Sequence, residues 1–320
     1  RDFCLSRGLG DVYKRQVVFW INTLYSPFVR WADIVKEFLT TKDDPETFQN
    51  FINSWLAEPW EDTKLKTSAE LVLERQTELP EYIVPSWAKL LTAGVDVQES
   101  SLYWSIRAWG DYLTSQNVAH GQALSFDDID NVMNAQYMNE NGEPMIVNLC
   151  LVDSGDQTDM VYDFCATHSD YALPVKGSSH AQLSNYKLSK VNRPDSKAMG
   201  ITLVLVDGGA YKDMIVGRMQ RPNGRGSWMV YKGCDMEYAT QVTAEHKVSV
   251  KRGNTTKQVW QTKTNHADNH YLDTEVYNAA AADILGVRQL HLMNEENVTV
   301  PEYKLPEEQW IEKNENWLDQ

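Results

Sequence analysis

No stretch of this chain reaches about 18 consecutive apolar residues, so the sequence holds no helix able to cross a bilayer. Cysteine is scarce. Cys4, Cys150, Cys165 and Cys234 form no C-x-x-C pair, which argues against a zinc ribbon or a disulfide scaffold and suits a reducing cytosol. There is no tandem repeat and no long low-complexity tract. Positive charge is also short: 30 Lys and Arg against 45 Asp and Glu leave a net charge of −15, which on its face discourages a polyanionic partner. What is present, 42% hydrophobic and 23% charged residues over 320 positions, excludes wholesale disorder and a fibrous repeat. That length is room for one large domain or two ordinary ones.

The average charge hides an asymmetry. Residues 171–263 carry fifteen Lys or Arg and six acids, a net of +9, so the remainder of the chain carries −24. A basic region inside an acidic protein can face a polyanion while the rest keeps the molecule soluble, although a solvated Lys-rich face gives the same count. Residues 1–16, RDFCLSRGLGDVYKRQ, show no apolar period, no capping pattern and no signal-peptide core. They are expected to be an artefactual leader, of the kind a translated sequencing adaptor gives, fused to the C-terminal part of a longer protein.

From Val17 to about Glu61 the pattern is helical. Phe28, Trp31, Ile34, Val35 and Phe38 make one stripe, and Phe48, Phe51, Ile52, Trp55 and Leu56 a second. Residues 62–88 are polar, hold Pro80 and Pro85, and read as a linker. At Leu90 the character changes. LLTAGVDVQ is a strand with an acid inside an apolar run, and LYWSIRAWG alternates as a half-buried strand that turns into another near 114–124. MIVNLCLVDSG is apolar on both faces and feeds a helix, as a central parallel strand does, and ITLVLVDGG repeats the pattern. Residues 268–285 close the region as a helix with Gly286 placed to cap it. The expectation is an α/β fold, a mixed sheet flanked by helices.

Three acids stand where a core would not choose them. Asp96 interrupts an apolar strand, Asp153 sits at the carboxyl end of a central strand, and Asp273 shares a helix face with Val276, Tyr277, Ala280 and Ile284. Facing one another they would repel, and divalent ions with hard oxygen ligands, Mg²⁺ or Mn²⁺, are the natural remedy. Two such ions about 3.5–4 Å apart can activate water against a phosphodiester. Singly, each acid also reads as a strand-edge residue, a turn former or half of an ion pair. Asp283, one face away on the last helix, reads as a bystander. Ser154 lacks the glycines of a nucleophile elbow. His266 and His270 stand at i, i+4 with Asp273 three further on, so a single zinc site is the other metal reading, without an evident further ligand. Lys176 and Lys212 follow strand ends in the basic region and are the candidates for phosphate contacts.

A strand acid, a strand-end acid and a final-helix acid, in that order, is the layout of ribonuclease H-like nucleases and integrases. The chain resembles, more closely, the large terminase subunits of tailed bacteriophages of the lambda type. The similar stretches are LYSPFVRWADIVKEFL, FINSWLAEPWE, LTAGVDVQ, the RAWG strand end, VDSG followed by VYDFC, VKGSS, QVTAEH and NHYLDTEVYNAAAADIL, in the family's order from about residue 21 to 285. The resemblance implies that 17–88 are the end of a packaging ATPase plus linker, 89–290 a ribonuclease H-like endonuclease, and 291–320 an acidic tail. It implies that Asp96, Asp153 and Asp273 are catalytic and bind two Mg²⁺ or Mn²⁺, and that the substrate is concatemeric double-stranded viral DNA. Portal protein and small terminase subunit are the implied partners, and the host cytoplasm, with transient docking on a procapsid, the implied location. A helix with Trp310, Ile311, Asn314, Trp317 and Leu318 on one face of the tail would suit the portal. Two departures stand out. No G-x-x-x-x-G-K-[ST] loop occurs, so ATP would act only through a missing N-terminal motor. The family often has a glutamate near the last acid, where this chain has His270, whose role stays open. The alternatives are an integrase on the same fold and a nucleolytically silent docking module.

Overall fold

The structure is a computed structural model that describes residues 21–42, 45–58, 67–178, 183–194, 196–252, 255–264 and 267–294. The leader, the tail beyond 294 and His266 lie outside these residues. The chain divides into two compact units, one within 1–66 and 244–267, the other within 67–243 and 268–320.

In the first unit, α1 (Trp31–Thr41) and α2 (Pro45–Ser54) follow the two apolar stripes. Phe38 meets Phe48 and Phe51, each at 5.8 Å between ring centroids, so the stripes face each other.

The second unit opens with α3 (Ala69–Leu73), capped by the Ser68 hydroxyl, and β1 (Gln76–Pro80). The segment expected to be a linker is therefore structured from Thr67 onward. Its strand is short and polar because it pairs at the sheet edge, where Pro80 is tolerated. An antiparallel meander follows, β2 (Leu90–Val97), β3 (Leu102–Trp109) and β4 (Ser115–Ala123). Next come α4 (Phe126–Met133), the small hairpin of β5 (Tyr137–Met138) and β6 (Pro144–Met145), and β7 (Val147–Asp153), which lies parallel to β2. Beyond these run α5 (Thr158–Thr167), β8 (Ala172–Gly177), β9 (Tyr186–Lys190), β10 (Thr202–Val206), α6 (Gly208–Met219), β11 (Trp228–Lys232) and α7 (Met236–Val242). The antiparallel ribbon of β12 (Glu245–Arg252) and β13 (Thr255–Thr262) belongs to the first unit. Finally α8 (His270–Ile284) returns to the second, and Gly286, with φ +78°, lets the chain leave it.

The nine-stranded sheet has the order β1-β11-β4-β3-β2-β7-β8-β10-β9. Its centre, β4-β3-β2-β7-β8, is a meander joined to parallel strands across the first strand, the ribonuclease H-like arrangement expected from the sequence. Helices α3, α6, α7 and α8 cover one face and α4 and α5 the other. Central strands are consequently buried on both sides. On β3, read as half-buried, the polar side is covered as well: Arg107 is fully buried and ion-paired with Glu275 of α8. Asn117 and the Tyr238 hydroxyl donate to the other Glu275 oxygen at 3.0 and 2.6 Å, so both carboxylate oxygens are satisfied, while Arg107 Nη2 has no hydrogen-bond partner among the described residues.

Helix α8 is held on the sheet by a buried polar network as well as by its apolar residues. The Asn278 amide donates to Ser105 O and Oγ, and its oxygen accepts from Thr92 Oγ1 at 2.8 Å. Ser105 Oγ in turn donates to Thr274 Oγ1 at 2.7 Å. The approach is so close that a Cβ on Gly94 would stand 2.1 Å from Thr274 O. The glycine of LTAGVDVQ is there because α8 leaves no room for a side chain.

Candidate active site

The period of a strand decides which face each carboxylate takes. Asp96 has the parity of Gly94, Thr92 and Leu90, and so points to the α8 face. Asp153 has the parity of Leu151 and Leu149 and pairs in register with Val175, all on that same face. Asp273 lies in the first turn of α8, above both. The structure thus brings the three acids within electrostatic reach of one another at the carboxyl ends of β2 and β7, the end where parallel strands present ligands.

Their surroundings differ. Asp96 is buried, and its Oδ2 accepts from Gln98 Nε2 at 2.8 Å and lies 2.7 Å from His270 Nδ1. Hydrogen bonding to Asp96 raises the His270 pKa above the usual imidazole value against the effect of its partial burial, and the ring is stacked on Tyr103 at 4.3 Å. Asp273 Oδ1 stands 3.3 Å from Lys212 Nζ on α6, and its Oδ2 accepts from Asn269 Nδ2 at 3.1 Å. Asp153, between them, accepts from the Gly155 N–H at 3.1 Å and hydrogen-bonds the Tyr277 hydroxyl. Burial, and after it the charges of Asp96 and Asp273, push the Asp153 carboxyl up to about 6. Tyr277 is raised well above the usual phenol value by its burial and by the same three acids.

The donor set is hard oxygen, three carboxylates that repel one another, which fits a divalent cation of the Mg²⁺ or Mn²⁺ type and gives little to zinc. Among the described residues, no three side chains of His, Cys, Asp and Glu are gathered closely enough in this arrangement to share one ion. The outer two acids are drawn aside, Asp96 toward His270 and Gln98 and Asp273 toward Lys212 and Asn269.

Of the two lysines singled out in the sequence, Lys212 is at the acids and Lys176 is not. Lys176 has the opposite parity to Val175, so its side chain lies on the α5 face, 6.0 Å from the Tyr162 ring that Arg193 also approaches. Asp283 is no bystander: its oxygens bind Arg288 at 2.8 Å and accept from Tyr211 at 3.2 Å, a structural pair with a buried carboxylate and a half-exposed guanidinium. Ser154 is fully buried and donates to Val175 O at 2.9 Å, which leaves it no part as a nucleophile. Sequence reasoning did not single out Gln98, Asn269 or Tyr277 as polar partners. Only Tyr277 had a signal, its place on the Asp273 stripe.

With this geometry in hand, comparison with known proteins is specific. The model of the family described as terminase large subunit gpA, endonuclease domain, matches residues 16–292. The chain belongs to that family. It is 28% identical over 293 residues to the terminase large subunit of Escherichia phage lambda, covering 84% of this chain and 44% of that protein. It is 26% identical over 327 aligned positions to the terminase large subunit of Enterobacteria phage P21, covering 94% and 50%. The terminase chain thus spans about half the length of these relatives. The crystal structure of the HK97 bacteriophage large terminase aligns over 79% of this chain and 51% of its own, at 14% identity and a TM-score of 0.34. At that score the superposition carries no argument.

Proposed function

We propose that this terminase chain is a metal-dependent endodeoxyribonuclease that cuts concatemeric double-stranded viral DNA into packaged units. The observation that carries the reading is the convergence of Asp96, Asp153 and Asp273 from two strand ends and a helix, with Asp153 raised to about 6 by burial and by the other two. Two Mg²⁺ or Mn²⁺ ions held there would lower the pKa of the attacking water and offset charge on the 3′ leaving oxygen. The chain's own residues do the positioning. His270 and Gln98 fix the orientation of Asp96 by donating to one of its oxygens, leaving the other to a ligand. Tyr277 and the Gly155 N–H hold Asp153 in place by hydrogen bonds. Phosphates beside the acids would be met without reading bases by cations of the α8 face, since Lys176 lies on the other face of the sheet. Residues 21–58 would be the end of a packaging motor, ATP would act only through that motor, and portal protein and small subunit would be partners in the host cytoplasm.

The test is nicking of supercoiled plasmid by the purified chain with Mg²⁺, Mn²⁺ or EDTA. Parent protein should nick only with metal, and Asp96→Asn, Asp153→Asn and Asp273→Asn should each fall by orders of magnitude without additive deficits. Asp170→Asn, on the exposed loop before β8, should cut normally. An Asp153 variant that cuts at the parental rate would overturn the assignment.

A further inference from the structure

Lys212 is placed unlike a surface lysine. It lies in the second turn of α6, which Asp207 caps and which packs against α8. Its side chain is only 13% exposed and its ammonium stands 3.3 Å from Asp273 Oδ1. A lysine this buried requires a counter-charge, and the acid cluster is one.

We propose that Lys212 is a built-in counter-ion, holding the cation place beside Asp273 until a divalent ion displaces it; this rests on the two-ion reading above. Three features support it. Asp273 is drawn toward α6, and the three acids are not gathered around a common point. A single ammonium, 3.3 Å from Asp273 Oδ1, brings one charge to a cluster of three acids. Finally, a compact ammonium on a flexible four-carbon stem can withdraw by rotation alone, whereas a rigid guanidinium fork would not. The consequence is a threshold: metal binds against a cation already present, so occupancy begins at a higher free-ion concentration than three bare carboxylates would give.

The experiment is calorimetric titration of Mn²⁺ into the full 320-residue chain at pH 7.5, comparing the parent with Lys212→Met, Lys212→Arg and, as a distant control on β9, Lys187→Met. Lys212→Met should bind Mn²⁺ about ten-fold more tightly, equivalent to about 1.4 kcal/mol. Lys212→Arg should bind Mn²⁺ more weakly than the parent, since its fork keeps a charge at Asp273 and does not withdraw as the ammonium does. Lys187→Met should not change. Unaltered or weaker binding by Lys212→Met overturns the proposal, and with weakened DNA binding besides it would make Lys212 a phosphate contact. If Lys212→Met does not fold, acylation of Lys212 in the parent decides. Saturating Mg²⁺ should increase its labelling, and labelling that stays the same or falls overturns the proposal. Asp153→Asn guards the underlying reading: if the parent shows no Mn²⁺ binding that this variant loses, the two-ion assignment fails and the counter-ion proposal with it. If that binding is present and only the Lys212 result fails, the assignment stands.

Discussion

Asp153→Asn separates a metal site from a structural carboxylate most sharply when stability is measured without metal. The carboxyl is raised from 3.8 to about 6, first by burial and then by Asp96 and Asp273. Because the folded state holds this proton more tightly than the unfolded chain, native protein binds more protons between about pH 4 and pH 6. Stability therefore falls as pH rises through that window and stays lowered above it. At 1.36 kcal/mol per pH unit the full penalty at pH 7.5 is about 3 kcal/mol, an upper bound because the cluster is partly open to solvent. The asparagine is nearly isosteric, can accept from the Gly155 N–H and removes the repulsion. In EDTA at pH 7.5 the variant should melt several degrees above the parent, on the order of 5–10 °C, and most of that advantage should vanish by pH 4. Adding Mg²⁺ should raise the parent by mass action and the variant by less, closing or reversing the gap. Scanning calorimetry at the two pH values, with and without Mg²⁺, reads all of this. A variant that melts below the parent at pH 7.5 in EDTA, or one that gains equally at both pH values, refutes the reasoning.

Gly94→Ala should be severe, more than about 4 kcal/mol by urea unfolding, because the new methyl would meet Thr274 O at 2.1 Å and lift α8 from β2. Arg107→Met should cost about 3–5 kcal/mol by leaving Glu275 charged and buried, and Arg107→Met with Glu275→Gln should recover much of it. His270 adds its own pH dependence. Its pKa is raised by Asp96, so its contribution is fully present below about pH 6.5 and lost as pH rises through the folded value. His270→Asn should therefore flatten the EDTA melting curve above neutrality and lower nicking about 10–100-fold through a misoriented Asp96.

Much of the architecture was legible because strand period and helix period are local. The meander from Leu90 to about residue 124, the central strand ending at Asp153 and the final helix all lie where the pattern placed them. The convergence of the acids was legible for the same reason: parity puts Asp96 and Asp153 on one face, and the helix stripe turns Asp273 toward it. The rest depended on partners distant in sequence. Nothing within 62–88 signals that Gln76–Pro80 pairs with β11, about 150 residues later. The alternation of β3 reports a polar face truthfully but not that α8 covers it, so the pattern reads as half-buried where the strand is buried on both sides. Lys176 and Lys212 both follow strand ends, and only the register of β8 and the packing of α6 send one away from the acids and the other to them.

Helix α8 ties these effects together. Its Thr274 and Asn278 fasten it to β2 and β3, its Glu275 neutralises Arg107 beneath it, and its Asp273 and Tyr277 reach the acids of the two strand ends. From Asp273 to Asn278 a polar residue of this helix is therefore either an anchor or part of the site, and the two sets alternate within one and a half turns. Displacing the helix by the few tenths of an ångström that an anchor substitution allows would move Asp273 relative to Asp96 and Asp153. Anchor variants should accordingly lose Mn²⁺ affinity along with stability, whereas Asp153→Asn loses affinity and gains stability in EDTA. Plotting the two quantities against each other for Ser105→Ala, Asn278→Ala and Asp153→Asn distinguishes the classes, since the anchors lie on a line of positive slope and Asp153 falls off it. If the anchor variants were destabilised but kept parental Mn²⁺ affinity, α8 would hold the sheet without setting the geometry of the site.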